Sequence, residues 1–300
     1  MGQHTSPATT APLLRDFSAD HRQLSINTAT VRRQGDLLAI IDACARAEIP
    51  AISPWRDQVA SVGLDRAVKA VRAAGLKLSG YCRGGMFPAD FARLAEVADD
   101  NRRAVDEAAA LDASCLVLVV GGLPQFSRPG SAPSKDLAGA RAMVEDGIGA
   151  LLEYAGKVGM PLAIEPLHPM YAADRACVNT TGQALDICDT LDPARTGALG
   201  VALDVFHVWW DPELAAQIAR CGRERLLAYH VCDWLVPMAD MLNDRGMMGD
   251  GVIDLKGIRA QVEAVGYDGF SEVEIFSERW WSLPMEEVLS TCIARHRAVV

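Results

Sequence analysis

The sequence lacks several things that would fix its class at once. It has no Cys-x-x-Cys pair, although eight cysteines are spread along its 300 residues. Some of them lie inside apolar runs, as Cys115 does in SCLVLVV, which reads as buried, reduced thiols. A reducing compartment follows, and a cytoplasmic location is expected. No apolar stretch approaches the roughly 20 residues needed to span a bilayer, so no membrane association is expected. The opening residues, MGQHTSPATTAPLLRDFSADH, carry no apolar core of about 7–15 residues, so a secretory signal is not expected either. Gly2 and Ser6 fit the loose myristoylation pattern, a match too common to carry weight. No Lys/Arg run offsets the net charge of -10. A diffuse negative field repels polyphosphate, which argues against nucleic acid as a partner. No GxGxxG follows the first β-rich run in INTATVRRQGD, so a dinucleotide-binding open sheet is disfavoured. Short-period repeats are missing too.

What is present is an alternation. Eight short β-rich runs begin at Leu24 (LSINTATV), Ala51 (AISPW), Leu76 (LKLSGYC), Ser114 (SCLVLVV), Pro161 (PLAIEPL), Gly200 (GVALDVFHV), Leu226 (LLAYHVCD) and Gly269 (GFSEVEIF). Several are almost continuously apolar, as parallel strands buried on both faces are. Between them lie Ala-rich segments such as DLLAIIDACARAEI and LDRAVKAVRAAG, whose apolar residues recur at three and four positions, the period of a helix face. Gly75 and Gly266 stand where such helices end, the position at which a left-handed turn favours glycine. Eight strand-then-helix units with no composition break predict a single (β/α)8 barrel over residues 23–300, behind a disordered tail over 1–22.

The active site of such a barrel sits at the C-terminal ends of its strands. Strand five brings Glu165 and His168 there, strand six Asp204 and His207, strand seven His230 and Asp233, strand eight Glu272 and Glu274. Glu272 and Glu274 point the same way; Glu274 is preferred because it lies nearer the strand's end. Neighbouring strands are about 5 Å apart, so side chains from four of them can converge on one point. Of six histidines, His168, His207 and His230 all fall at this mouth; His4, His21 and His296 do not. Carboxylate and imidazole together suit one divalent metal ion: Mn2+ first, or Mg2+, Co2+, Zn2+ or Fe2+.

At these residues the sequence resembles the xylose-isomerase-like barrel superfamily of sugar isomerases and epimerases. The likeness spans most of the chain after the tail and is densest from Pro161 to Phe276. It is carried by IEPLHP, GVALDVFH, the histidine of AYHVCDW, GDGVIDLKGI and YDGFSEVEIF. The resemblance implies that Glu165, Asp204, His230 and Glu274 hold the metal, that Glu165 and Glu274 exchange a proton with the substrate carbon, and that His207 contacts the substrate. The superfamily also contains three-zinc apurinic endonucleases. Those need histidines at early strand ends and a D-x-H after strand seven. Here SGYCRGG and LVVGGLP have none, and the late segment reads Asp244-Arg245-Gly246.

All six tryptophans fall near or just beyond strand ends: Trp55, Trp209, Trp210, Trp234, Trp280 and Trp281. As a set they predict an aromatic-lined mouth suited to a sugar ring or a flatter group. Trp55, Trp209, His168 and Arg245 join His207 as candidate substrate contacts. Arg56 and Arg83 are placed to hold a substrate carboxylate, phosphate or hydroxyl. The expected activity is metal-dependent isomerisation or epimerisation of an unphosphorylated keto-sugar or polyol derivative. Proton removal would give an enediolate that the metal stabilises. A lyase on the same scaffold, of the keto-inositol dehydratase or 3-keto C-glycoside-cleaving type, would use the same intermediate, with His168 or His207 as acid or base. A non-catalytic sugar-binding barrel is the reading of a different class. A homo-oligomer is compatible with all three.

Overall fold

A computed structural model describes residues 15–124 and 134–300. Nine strands run in chain order: β1 (Leu24–Asn27), β2 (Ala51–Ser53), β3 (Lys77–Leu78), β4 (Tyr81–Gly85), β5 (Leu116–Val119), β6 (Leu162–Ile164), β7 (Leu199–Asp204), β8 (Leu226–Val231) and β9 (Ser271–Val273). Every pairing is parallel, in the order β3-β2-β1-β9-β8-β7-β6-β5-β4. β3 and β4 are two pieces of one stave, the predicted LKLSGYC run, interrupted at Ser79-Gly80. Parallel bridges Trp55–Cys82 and Leu78–Ala113 join that stave to its neighbours. The molecule is thus a (β/α)8 barrel with a broken third stave. Gly80 lies at the break, where a Cβ would sit 3.3 Å from Ser53 Oγ and 3.6 Å from Glu272 Oε2.

The helices form as their sequence pattern dictates. Leu37–Arg46 starts at Asp36, whose carboxylate accepts from Ala39 N at 2.9 Å. Its buried face is Leu37, Ile40, Ile41 and Cys44, spaced three and four apart. Burying each such large side chain contributes about 1.5–3 kcal/mol. Leu64–Ala74 ends at Gly75 in the left-handed region, φ 68°. Three of the β-rich runs stop sooner than predicted, because polar side chains end them. Asn27 accepts from Ala29 N at 3.1 Å and turns the chain into a 3-10 helix, Thr28–Val31. Asp204 accepts from Phe206 N at 2.9 Å and starts the helical turn Val205–Val208. Thr30 Oγ1 donates to Val273 O and accepts from Ile275 N, which ends β9.

The apolar core lies between barrel and helices. Inside the barrel a separate small cluster comprises Cys82, Cys115, Val117, Ala163, Ala202 and Ala228. Apart from Val117, these are smaller than the bulky branched residues that usually fill such lumens. The space admits Glu272, which accepts from Asn27 Nδ2 at 2.8 Å and from Ser79 Oγ at 2.7 Å. All eight cysteines are buried and unpaired. No described helix is long and apolar enough to cross a membrane.

Residues 15–22, assigned from the sequence to the tail, are instead packed on the barrel. Phe17 is buried, stacked on His296 with ring centres 4.5 Å apart, and Arg259 lies 4.2 Å over its other side. Arg15 Nε donates to Glu263 at 2.9 Å. One buried aromatic is enough to hold a polar segment whose composition resembles a tail. Residues 1–14, with Gly2, Ser6 and His4, lie outside the described residues.

Candidate metal centre and substrate cleft

Strand phase brings the site together. Ala163, Ala202 and Ala228 face the lumen; two residues further on, the same face carries Glu165, Asp204 and His230. Glu274 stands in the same relation to Glu272. One donor atom from each of Glu165, Asp204, His230 and Glu274 lies within 4.8 Å of every other, and all four residues are buried. His230 Nδ1 is 3.1 Å from Glu165 Oε1 and 3.8 Å from Glu274 Oε2. Its Nε2 faces Glu272 Oε1 at 3.5 Å. Glu272 therefore sits behind the imidazole, committed to Asn27 and Ser79, while Glu274 joins the cluster. By strand register Glu272 is the residue level with His230, but tilted strands raise the converging layer by one step from stave to stave.

Burial and mutual repulsion load this cluster. Burial pushes Glu274 well above the usual carboxylate range; Arg245 and His230 oppose the shift, and Glu165 adds to it. Burial would lower His230, but Glu272, Glu165 and Glu274 outweigh it and hold the imidazole well above its ordinary value. Asp204 is also desolvated, yet Arg245 brings its carboxyl below the normal range. Three carboxylates and an imidazole packed this closely away from water call for positive charge. The donor set, oxygen with one nitrogen, matches a hard or borderline divalent cation. An imidazole backed by a carboxylate is the usual support of a metal-binding histidine. On these grounds the residues present fit a divalent metal ion.

Arg245 is the central surprise. Its Nη1 donates to Asp204 Oδ2 at 2.8 Å and to Glu274 Oε2 at 3.1 Å. The guanidinium lies 4.4 Å from the Phe206 ring centre and 5.4 Å from that of Phe276. Its Nη2 is 3.1 Å from His207 Nε2. His207 Nδ1 is 3.2 Å from His168 N. Burial drives His207 down to about 3, with the Arg245 charge adding to the fall against Asp204. The ring is therefore neutral, and a neutral imidazole has one acceptor nitrogen. Each ring nitrogen faces a donor, the His168 N–H at Nδ1 and the Arg245 guanidinium at Nε2, and the tautomer decides which of the two it accepts from.

A cleft of about 540 Å³ opens above this cluster. Its wall includes Glu165, Glu274, His207, Arg245, Trp55 and Arg83. Asp204 and His230 are sealed beneath, at 0% exposure. The predicted aromatic mouth is corrected. Of the six tryptophans only Trp55 and Trp281 are in the cleft wall, and Tyr171 and Phe276 supply the rest. Trp209 packs on Trp234, 5.7 Å between centres, away from the cleft. Trp210 donates to His207 O at 2.8 Å and props that turn from behind. His168 stacks near Trp234 at 4.9 Å and stands behind His207 rather than in the wall. Arg56 is held by Asp100 and Glu107 and has no free donor fork to offer. Asp233 accepts from the backbone N–H groups of Trp234, Gly249 and Ile253, so it orders the loop through Gly249. Tyr171, Arg175 and Phe276 were not foreseen. They come from loops beyond the strand ends, and only the proline after His168 hinted that this chain turns back over the mouth.

A second groove, of about 270 Å³, lies between helices Leu94–Ala110 and Leu137–Val158. It is mostly apolar and gathers no chemical constellation.

The family model for xylose isomerase-like TIM barrels matches residues 39–295. Inosose isomerase of Bacillus subtilis is 26% identical over 144 residues, 47% of this chain and 49% of the relative. The chain thus spans about half the length of the curated relatives it matches. Among solved structures, a protein from Sinorhizobium meliloti is 60% identical, covering 92% of this chain and 98% of that one, with a TM-score of 0.87. The IolI protein, solved with a zinc atom bound, is 20% identical over 93% of this chain and 98% of its own, with a TM-score of 0.77, a likeness of fold.

Proposed function

The chain belongs to the xylose isomerase-like TIM-barrel family, and from that premise we propose that it is a divalent-metal-dependent sugar isomerase or epimerase acting on a keto-sugar or polyol derivative. One observation carries the reading. Of the four clustered residues, Glu165 and Glu274 are in the cleft wall and Asp204 and His230 are sealed below it. The sealed pair can serve as ligands alone; the open pair can also meet a substrate.

Glu165, Asp204, His230 and Glu274 would hold the cation. When bound, it polarises the substrate carbonyl and stabilises the negative charge of the enediolate. The remaining work falls to the chain. One glutamate takes the proton from the carbon beside the carbonyl; the same or the other returns it to a carbon of the enediolate. Return to the neighbouring carbon isomerises, and return to the opposite face of the first carbon epimerises. His207, in the cleft wall, contacts the substrate. Trp55 and Trp281 offer apolar faces to a ring.

The likeness to inosose isomerase and the zinc held by the IolI protein support this reading. Eight unpaired, buried cysteines fit a reducing compartment such as the cytoplasm. A lyase is the second reading, favoured by the breadth of the aromatic lining, which suits a flatter substrate than a simple ketose. Incubation with candidate keto-sugars in deuterated water separates the two. An isomerase or epimerase incorporates deuterium at carbon without loss of water or aglycone; a lyase releases one of them. A metal-free protein that binds sugars unchanged and exchanges nothing would overturn both and leave a binding barrel.

A further inference from the structure

The whole chain is acidic, with a net charge of -10, yet the cleft wall carries five arginines against three carboxylates. Three of the arginines have partners. Arg32 pairs with Asp57 at 2.5 Å. Arg33 pairs with Glu278 at 2.5 Å and lies 4.3 Å over the Trp281 ring. Arg245 holds Asp204 and Glu274. Arg83 and Arg175 are different. Arg83, on β4, is half-buried and makes no hydrogen bond or ion pair among the described residues. Arg175 approaches its exposed chain neighbour Asp174, at 3.6 Å, and the Tyr171 ring, 5.6 Å from its centre. Burial disfavours the Arg83 charge, and repulsion from Arg175 adds to this, so the two guanidiniums are close enough to feel each other. The residues outside the described set cannot balance them: 1–14 and 125–133 contain no Asp or Glu.

Two neighbouring guanidiniums, partly withdrawn from water and with only the exposed Asp174 carboxylate, at 3.6 Å from Arg175, as a counter-anion, are unfavourable unless something negative arrives. Hydroxyl groups would leave both charges uncompensated. A carboxylate or phosphate matches the planar donor fork of arginine, and two forks can grip one anion. The geometry points to a substrate that is itself anionic: a keto-sugar or polyol derivative bearing a carboxylate or phosphate, which Arg83 and Arg175 clamp while its carbonyl end meets Glu165 and Glu274. The acidic barrel would then repel anions everywhere except at this mouth. This substrate class rests on the isomerase reading of the same cleft.

The test is a calorimetric titration of the Mn2+-loaded protein with three matched ligands: a ketohexose, the keto-acid with one terminal carboxylate, and the terminal phosphate ester. It is run on the wild type, on Arg83→Met and on Arg175→Met, with metal content measured in each. Wild type should bind at least one anionic ligand about tenfold or more tightly than the neutral one. Which anion gains decides between carboxylate and phosphate. Both substitutions should bring the ratio of affinities toward one with metal content unchanged. If Arg83→Met fails to fold by circular dichroism, Arg175→Met, at a partly exposed position, carries the test alone. A wild-type ratio near one, or a preference that survives in every folded variant, overturns the clamp. Deuterium exchange on the neutral sugar with no anion preference would sink the clamp and leave the isomerase standing. An arginine-dependent anion preference without metal uptake or exchange would do the reverse.

Discussion

In the first half of the barrel the staves carry Asn27, Ser53, Arg83 and Val119 at or near their C-terminal ends; in the second half they carry Glu165, Asp204, His230 and Glu274. The backbone plan is alike in both, apart from the broken third stave: short parallel strands, inward-facing alternate residues, a helix returning outside. The chemical difference lies in which side chains stand at the strand ends. The second half assembles buried carboxylates that repel one another and need a cation. The first half supplies neutral hydrogen-bonding groups and an uncompensated guanidinium. Glu272 links the two, reaching from β9 across the lumen to Asn27 and Ser79 while facing His230 from behind. A substrate lying across the mouth would thus meet positive charge from the side chains on one side and, through a metal, on the other.

The sharpest way to break this division is to neutralise the second half. Glu165→Gln and Glu274→Gln should each lower turnover by about 10³-fold or more, since both proton transfer and ligation are lost. Deuterium exchange with a keto-sugar reads this directly. Full activity in Glu274→Gln beside a dead Glu272→Gln would reverse the roles assigned to the two glutamates. Next in size is metal removal. Mn2+ at about a hundred times its Kd should stabilise the fold by about 2.7 kcal/mol, visible as a rise in Tm that a chelator cancels. The effect has a pH sign. His230 and Glu274 both have raised proton affinities, and ligands must shed protons to bind metal. Affinity should therefore fall as pH falls, and a pH-independent Kd would contradict the ligand assignment.

Glu272→Gln probes the link between the halves. It keeps the shape and removes the charge behind His230, so metal affinity should drop by about 10–100-fold while the protein stays folded. A wild-type Kd would mean Glu272 is packing alone. His207→Ala should raise KM by about tenfold through loss of one substrate contact, with metal content unchanged; a metal-free variant would make His207 a ligand. The smallest effect belongs to the first half. Arg56→Met should cost about 1–2 kcal/mol of stability, in a denaturant titration, through its two half-exposed ion pairs. It should leave the anion preference where it was, because Arg56 is engaged by Asp100 and Glu107.

The contrast between Arg56 and Arg83 shows why the site was only partly legible. Both follow a β-rich run and both read as loop arginines able to face a substrate. What separates them is a helix, Leu94–Ala110, that brings Asp100 and Glu107 to Arg56, over forty residues away in the chain. No local pattern encodes that encounter. The same holds for Trp209, which stands at a strand end as Trp55 does, yet turns to Trp234. It holds for Phe17, whose burial depends on His296 at the other end of the chain. Arg245 reads from the sequence as a substrate contact; the folded loop also brings it onto Asp204 and Glu274.

Sequence alone determined the alternation of strands and helices, hence the barrel. It also determined which inward positions at the last four strand ends carry carboxylate or imidazole. Both follow from local rules: hydrophobic period sets the element, and a two-residue repeat sets the face a strand side chain occupies. Tertiary structure alone decided that Glu272 sits behind His230, that Arg245 enters the cluster, and that no carboxylate but the exposed Asp174 pairs with Arg83 or Arg175 among the described residues. Those outcomes depend on strand tilt and on loops crossing the mouth. They are distances between residues remote in the chain, and packing fixes them only when the whole barrel closes.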